Sequence, residues 1–153
     1  MQRYAKPDTK VVVCAVNELP NIRLDNSLNH GYIVNLAKSH EPGTHWIGIF
    51  IDTDRNGFYL DTFSLKLRSG YIKDFIKLNC IRCTYSTRQL QQLQSNVCGM
   101  YSCCFLVHMI KGYRFTDFLD KFSMNLLLND QFVVKMYYYY IRNDLLFRKI
   151  KSY

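Results

Sequence analysis

The stretch Gln91–Tyr101, QQLQSNVCGMY, decides how this chain of 153 residues is organised, because it places a cysteine where a loop meets a helix. The amides and the serine before Cys98 are typical of a loop, and the apolar run Met100–Ile110 is long enough for about three helical turns. A thiol at a helix N-terminus faces unpaired N–H groups and the positive end of the helix dipole, which favour the nucleophilic thiolate. Taken alone, however, Cys98 is explained more simply as a small buried hydrophobic residue.

The composition indicates a folded, basic protein, and we expect a single domain over residues 1–153. Hydrophobic residues make up 48% of the chain and charged residues 21%, which is typical of globular rather than disordered proteins. The net charge of +8 favours nucleic acids, acidic partners or anionic surfaces. The chain has no run of five Lys or Arg residues, and its densest basic segment is Arg142–Lys151.

The apolar segments predict neither export nor insertion into a membrane. Val11–Val16 is too short for the core of a signal peptide, and Met100–Ile110 is too short to span a bilayer and contains His108. We therefore expect a protein that is not secreted, has no membrane partner and is a monomer. The six cysteines are expected to be mainly reduced.

The order of the predicted elements favours an α+β fold. Predicted strands occupy Tyr32–Leu36, Trp46–Ile51, Phe58–Phe63 and Cys80–Tyr85, and the second and third form a hairpin around Asp52–Gly57. Predicted helices occupy Tyr71–Leu78, Cys98–Lys111, Thr116–Leu128 and a segment from Asp130 through Tyr140 toward Asp144. This order predicts a small mixed sheet packed on a central buried helix that begins at Cys98, with further helices at the C-terminus.

The four histidines have different sequence contexts. His45 follows the loop Glu41–Thr44 and opens a predicted strand, from which its side chain can reach a cleft. His30 and His40 lie in polar segments, and we expect both to be exposed and inert. His108 lies in the apolar helix and is interpreted as a core residue with its polar atoms satisfied.

Asp61 interrupts an apolar strand, where a buried carboxylate needs a partner. The imidazole of His45 on the neighbouring strand is a suitable one; the alternative is an edge-strand aspartate that faces water. A thiolate nucleophile needs a base, and that base needs a third group to orient it. The amides of Gln91, Gln92 and Gln94 are candidates to stabilise an oxyanion near Cys98.

This ordered set resembles the cysteine proteases of the adenovirus endopeptidase (adenain) family, found also in Polinton/Maverick elements and related DNA viruses. These proteases belong to the same clan as the SUMO-specific proteases. Ile33–Asn35 (IVN) and Gly43–Trp46 (GTHW) are similar to IVN and GVHW in the viral enzyme. Tyr59–Phe63 (YLDTF) is similar to YLFEPF, and Cys98–Leu106 (CGMYSCCFL) to CGLFCCMFL. The resemblance extends from residue 32 to residue 110.

The resemblance implies a role for each matching residue. His45 is the base, Asp61 the orienting acid and Cys98 the nucleophile. The adenain spacing assigns the oxyanion amide to Gln91, whereas the SUMO-protease spacing assigns it to Gln92. We choose Gln91, since this comparison needs no gap.

Two positions depart from the family pattern. Asp61 stands where adenain has a glutamate, and Ser64 stands where a glycine often follows the acid. The shorter aspartate still reaches the base if the two strands lie close together.

The resemblance also implies the reaction and its setting. The expected activity is that of an endopeptidase of a virus or virus-like element, which cleaves capsid and core precursor proteins through a thioester acyl-enzyme. Cleavage is expected next to glycine or another small residue, in the host nucleus or cytoplasm and in the virion. The chemistry needs no metal or cofactor, but an activating peptide bound through Cys80 and DNA are candidate activators.

Three other interpretations remain open from the sequence. Because the SUMO-specific proteases belong to the same clan, deconjugation of SUMO- or ubiquitin-like proteins is an alternative activity. Its charge and aromatic content also allow a non-enzymatic nucleic-acid-binding module. Finally, a zinc site could be formed by Cys80, Cys83, Cys104 and His108.

Overall fold

The structure, a computed structural model, describes residues 7–144 of the chain. Its strands are β1 (Thr9–Ala15), β2 (Asn29–Asn35), β3 (Trp46–Ile51), β4 (Asn56–Leu60) and β5 (Arg82–Tyr85). Its α-helices are α1 (Gly70–Asn79), α2 (Cys98–Ile110), α3 (Phe115–Leu119) and α4 (Leu126–Asn143), and a 3-10 helix covers Val16–Asn21. The predicted α+β class is confirmed. None of the helices in this part of the chain is long and apolar enough to cross a membrane.

The strands form one mixed sheet in the order β1-β2-β3-β4-β5. The outer pairs β1–β2 and β4–β5 are parallel, and the inner pairs β2–β3 and β3–β4 are antiparallel. The central strand β3 is apolar throughout because both of its faces are covered. Ile47, Ile49 and Ile51 belong to the core on one face of the sheet, and Phe50 to the core on the other.

Helix α2 lies on the same face of the sheet as α3 and α4, in the core that contains Phe50, Phe105 and Phe118. The opposite face is covered by α1 and the 3-10 helix. Gly48 permits the close approach of α2 to the central strand, since a Cβ atom there would lie 2.7 Å from Cδ1 of Phe105. This contact fixes α2, and with it Cys98 at its first residue, against the sheet.

The prediction of one helix over Thr116–Leu128 is wrong. Helix α3 ends at Leu119, and the next helix begins at Leu126. The guanidinium group of Arg88 donates hydrogen bonds to the backbone oxygens of Leu119, Phe122 and Ser123, at 3.0, 2.6 and 3.0 Å. A distant arginine thus holds these carbonyls in a turn, which local hydrophobic spacing does not reveal.

Helix α4 begins earlier than predicted. The side chain of Asn125 caps it by accepting a hydrogen bond from the backbone N–H of Leu128 at 3.1 Å. Asp130, which was predicted to begin this helix, lies inside it and is buried. Most of the basic segment Arg142–Lys151 lies outside the described residues.

His30 was predicted to be exposed, and this prediction is wrong. The strand β2 begins at Asn29 rather than at Tyr32, so that His30 is part of the sheet and only 2% exposed. Its Nε2 atom donates to the carbonyl oxygen of Asp25 at 2.8 Å. His40, in contrast, is exposed, as expected.

The hairpin turn between β3 and β4 also differs in detail from the prediction. The Asn56-Gly57 pair begins β4 and does not form the turn itself. Arg55 takes the left-handed conformation instead, with φ 62°. A second left-handed residue is Ser64, with φ 52°, at the position where the family often has glycine.

Candidate active site

Three elements bring the predicted site residues together. His45 directly precedes β3, Asp61 directly follows β4, and Cys98 is the first residue of α2. Because β3 and β4 are antiparallel and Gly48 pairs with Leu60, the start of one strand lies beside the end of the other. All three side chains are buried, with residue exposures of 6%, 3% and 7% respectively.

The imidazole of His45 is held on two sides. Its Nε2 atom lies 2.8 Å from Oδ1 of Asp61, and its ring stacks on that of Phe63 with 4.5 Å between the ring centroids. The same Oδ1 atom accepts a hydrogen bond from the backbone N–H of Phe63 at 2.9 Å. The other ring nitrogen, Nδ1, is buried and is not engaged by Asp61, and the thiol of Cys98 is the second side chain that interacts with the imidazole. This nitrogen is therefore available to exchange a proton with a neighbouring group.

Asp61 is fixed by a residue that the sequence analysis did not single out. The Ser86 hydroxyl, just beyond the end of β5, accepts a hydrogen bond from the backbone N–H of Asp61 at 3.0 Å and lies 3.1 Å from its carbonyl oxygen. Asp61 is 3% exposed and so does not face water, the alternative that the sequence had left open. Only the parallel pairing of β4 with β5, a non-local contact, identifies Ser86.

The thiol of Cys98 has a lowered pKa. Burial acts to raise the pKa, but the interaction with His45 and the hydrogen bond from the backbone N–H of Trp46 outweigh it. That N–H lies 3.5 Å from Sγ. Burial raises the pKa of each of the other five thiols instead, so Cys98 is the cysteine most inclined to be a thiolate.

The pKa of His45 is raised to about 9. Burial acts in the opposite direction, but the hydrogen bond to Asp61 and the interactions with Cys98 are stronger. A raised imidazole pKa beside a lowered thiol pKa favours a thiolate–imidazolium pair near neutral pH. The arrangement can therefore supply both a nucleophile and a proton donor.

The two candidate oxyanion glutamines have different partners. Gln91 is fully buried, and its Oε1 atom accepts a hydrogen bond from the hydroxyl of Thr62 at 2.6 Å. Its Nε2 atom donates to the backbone oxygen and the hydroxyl of Ser95, at 3.0 and 2.9 Å. Gln92 instead directs its side-chain amide toward Asp130 at 3.3 Å. The assignment of Gln91 to the oxyanion remains a prediction.

The four cysteine and histidine residues of the zinc alternative do not come together. Cys80 and Cys83 pack against the core on one face of the sheet, whereas Cys104 belongs to the core on the other. His108 is on the helix of Cys104, and its Nε2 atom donates to the carbonyl oxygen of Arg114 at 2.8 Å. Within residues 7–144, no three His, Cys, Asp or Glu side chains are placed to hold a metal ion. The zinc alternative is therefore wrong for these residues.

Two cavities border the site. One, of about 300 Å³, lies beside Trp46 and is lined in part by the small residues Ala15, Ala37 and Gly43. The other, of about 450 Å³, reaches Asp61 and is lined by Leu65, among others.

Comparisons with known proteins relate the chain to viral proteases. No family model matches it. It is 27% identical over 126 residues to the putative thiol protease R355 of Acanthamoeba polyphaga mimivirus, a match that covers 72% of this chain and 40% of that protein. Its fold is similar to that of the ASFV pS273R protease, with a TM-score of 0.53 and 20% identity over 75% of this chain and 43% of that one. The chain thus spans about two fifths of either protein, resembles a putative viral thiol protease in sequence and shares its fold with a viral protease.

Proposed function

We propose that this protein is a cysteine endopeptidase of a virus or virus-like element, with Cys98 as nucleophile, His45 as base and Asp61 as orienting acid. The observation that carries the proposal is a set of three buried side chains. Asp61 is hydrogen-bonded to His45, and His45 interacts with the thiol of Cys98, whose pKa is lowered. The similarity to a putative viral thiol protease supports the same reaction class.

The reaction proceeds in two steps that use the same pair of groups. In the first, the Cys98 thiolate attacks the scissile carbonyl carbon, and the His45 imidazolium gives its proton to the departing amine. This leaves a thioester between Cys98 and the acyl part of the substrate. In the second, His45 takes a proton from water, the resulting hydroxide attacks the thioester, and the thiolate and a carboxylic acid are released.

The tetrahedral intermediates place a negative charge on the former carbonyl oxygen. N–H groups in the first turn of a helix have no partner within that helix, so those at Cys98 and Gly99 at the start of α2 are suitable donors. A side-chain amide from the preceding loop adds a further donor. We assign this role to Gln91, which is buried and held by Thr62. Its Nε2 atom would exchange a hydrogen bond to Ser95 for one to the oxyanion.

The proposed substrates are capsid and core precursor polypeptides, cleaved next to glycine or another small residue in the host cell or the virion. The similarity to a viral protein supports a viral setting.

We also propose two activators, a peptide that binds through Cys80 and DNA. Burial raises the pKa of the Cys80 thiol to about 12, and a Cβ atom on Gly57 would lie 2.6 Å from its sulfur. Such a thiol exchanges slowly with a disulfide at neutral pH, so the peptide is expected to react over hours rather than seconds. DNA binding is expected to weaken steeply with salt, because it would rest on the net charge of +8.

The experiment that tests the proposed function compares two cysteine variants on a fluorogenic peptide ending in Gly-Gly-aminomethylcoumarin. Cys98→Ala is expected to abolish hydrolysis while the thermal midpoint stays within a few degrees of wild type. The matched control is Cys103→Ala, on the same helix, which is expected to retain activity. Residual turnover by a folded Cys98→Ala protein would reject the nucleophile, and an inactive wild type would reject the activity on this substrate class.

A further inference from the structure

A buried carboxylate lies outside the proposed catalytic residues, on helix α4. Asp130 is only 7% exposed, yet no cationic side chain among the described residues forms an ion pair with it. Burial of an unpaired carboxylate is costly, and apolar replacements of buried charges are often neutral or stabilising. A carboxylate at this position therefore depends on hydrogen bonds rather than on an ion pair.

The hydrogen-bond partners of Asp130 come from both sides of the proposed nucleophile. Its Oδ1 atom accepts a hydrogen bond from the hydroxyl of Tyr101 at 2.9 Å. Its Oδ2 atom lies 3.3 Å from both the backbone and the side-chain nitrogen of Gln92. Tyr101 lies on α2 three residues after Cys98, and Gln92 lies six residues before it. Asp130 thus joins the first turn of α2 to the loop that leads into it.

The start of this loop, at Leu90, is also held by helices α2 and α4. The carbonyl oxygen of Leu90 lies 3.1 Å from the side-chain nitrogen of Asn129 and 3.2 Å from the hydroxyl of Tyr101. The backbone N–H of Leu90 donates in turn to the carbonyl oxygen of Thr62 at 2.8 Å. The segment Leu90–Gln92, which carries both candidate oxyanion glutamines, is thereby fixed between the end of β4 and helix α4.

We propose that Asp130 is a positioning residue for the reaction at Cys98, an inference that rests on the proposed function. The bridge from Tyr101 through Asp130 to Gln92 sets the distance between the oxyanion amide and the sulfur. Asp130 contacts neither His45 nor Asp61 among the hydrogen bonds that hold it. Its loss should therefore weaken oxyanion stabilisation while the thiolate–imidazolium pair remains intact.

Two reactions of Cys98 distinguish a loss of oxyanion stabilisation from a loss of the thiolate. Hydrolysis of a peptide passes through an oxyanion, which preorganised donors stabilise. Alkylation of Cys98 by iodoacetamide is a displacement at a methylene carbon and forms no oxyanion, so that its rate follows the thiolate alone. A positioning role predicts that a change at Asp130 lowers the first rate and leaves the second unchanged.

The experiment uses the full chain with Asp130→Ala, Asp130→Asn, Tyr101→Phe and, as a matched control, Asp120→Asn at an exposed carboxylate. For each variant we would measure kcat and KM on the Gly-Gly-aminomethylcoumarin peptide, the pH profile of Cys98 alkylation and the thermal midpoint. In Asp130→Ala, kcat is expected to fall roughly tenfold to a hundredfold. This decrease is no larger than the one expected when a whole oxyanion donor is removed. KM and the rate of Cys98 alkylation at each pH are expected to stay within about twofold of wild type. The kcat of Asp130→Asn should lie between those of wild type and Asp130→Ala, and the kcat of Asp120→Asn should equal that of wild type.

The outcomes separate this inference from the proposed function. A folded Asp130→Ala protein with the wild-type kcat would overturn the positioning role alone. A parallel loss of kcat and of alkylation rate would also overturn it, since that result indicates a general structural role. An inactive wild type would overturn both proposals. If Asp130→Ala does not fold, Asp130→Asn and Tyr101→Phe, which preserve side-chain shape, provide the same test.

Discussion

The Nε2 atom of His45 lies 2.8 Å from Oδ1 of Asp61, although the two residues are sixteen positions apart in the sequence and lie at the ends of different strands. The carboxylate is desolvated, it accepts a hydrogen bond from the backbone N–H of Phe63, and it faces the ring nitrogen that is not needed by the thiol. Ser86 fixes the backbone of the same residue. Because Nε2 is engaged in this way, Nδ1 is left for proton exchange with Cys98.

Asp61→Asn is expected to shift the alkaline limb of the pH profile of kcat/KM to lower pH. The bond to Asp61 helps to raise the pKa of His45 to about 9, so its loss lowers that pKa and the imidazolium disappears at a lower pH. The acidic limb, set by the lowered pKa of Cys98, moves little, because His45 is still protonated at that pH. We also expect kcat to fall by roughly a hundredfold, within the range for general acid–base catalysis.

The matched control for this substitution is Asp74→Asn, which removes an exposed carboxylate from α1. It should leave both limbs in place. An Asp61→Asn protein with an unchanged alkaline limb would show that Asp61 does not tune His45.

Gln91→Ala is expected to lower kcat by about 10²- to 10³-fold with little change in KM, as for the loss of one oxyanion donor. Gln91 is buried and held by Thr62, whereas the side-chain amide of Gln92 is turned toward Asp130. Gln92→Ala should therefore have the smaller effect, and Gln94→Ala, at an exposed position of the same loop, should have none. Steady-state kinetics of the three variants decide whether Gln91 or Gln92 stabilises the oxyanion. A larger decrease of kcat in Gln92→Ala than in Gln91→Ala would reject our choice of Gln91.

Gly48→Ala is expected to destabilise the protein and to reduce activity together. The added methyl group would lie 2.7 Å from Cδ1 of Phe105, so helix α2 must shift away from β3, and Cys98 shifts with it. Overpacking of this kind costs about 1–3 kcal/mol in the free energy of unfolding. Denaturant unfolding of each variant measures this change.

The control for this prediction is Gly70→Ala, also a change from glycine to alanine but in open space. No atom lies within 4 Å of its added methyl group, and alanine is the better helix former by about 0.5–1 kcal/mol. A Gly48→Ala protein as stable as Gly70→Ala would contradict the tight packing of α2 on the sheet.

The sequence predicted those parts of the fold that depend on local patterns. Helix α2 begins at Cys98 as expected, because a polar loop meets an apolar run there. It ends near Gly112, whose φ of 83° is the left-handed conformation expected of a glycine that closes a helix. The continuous apolar pattern of Trp46–Ile51 likewise predicted a strand that is covered on both faces.

The errors arose where distant residues decide the local structure. Hydrophobic spacing favoured one helix over Thr116–Leu128, but Arg88 binds three carbonyl oxygens there and holds a turn. His30 lies among polar residues and was expected to face water, but pairing of β2 with β3 places it opposite Ile51 in the sheet.

The proposed catalytic residues were accessible from the sequence because each has a distinctive neighbour, such as Trp46 after His45 or Gly99 after Cys98. Their supporting residues were not. Ser86 and Asp130 have no local signal, since each becomes recognisable only through a hydrogen bond to a residue at least 25 positions away.

The central claim is that Cys98 is an activated nucleophile oriented by His45. The measurement that tests it most directly is covalent labelling with a peptide vinyl sulfone ending in Gly-Gly, followed by mapping of the modified cysteine by mass spectrometry. Since the pKa is lowered at Cys98 and raised at the other five thiols, we predict a single modification at Cys98 that is lost in His45→Ala. Modification spread over several cysteines, or an unmodified Cys98, would contradict the account.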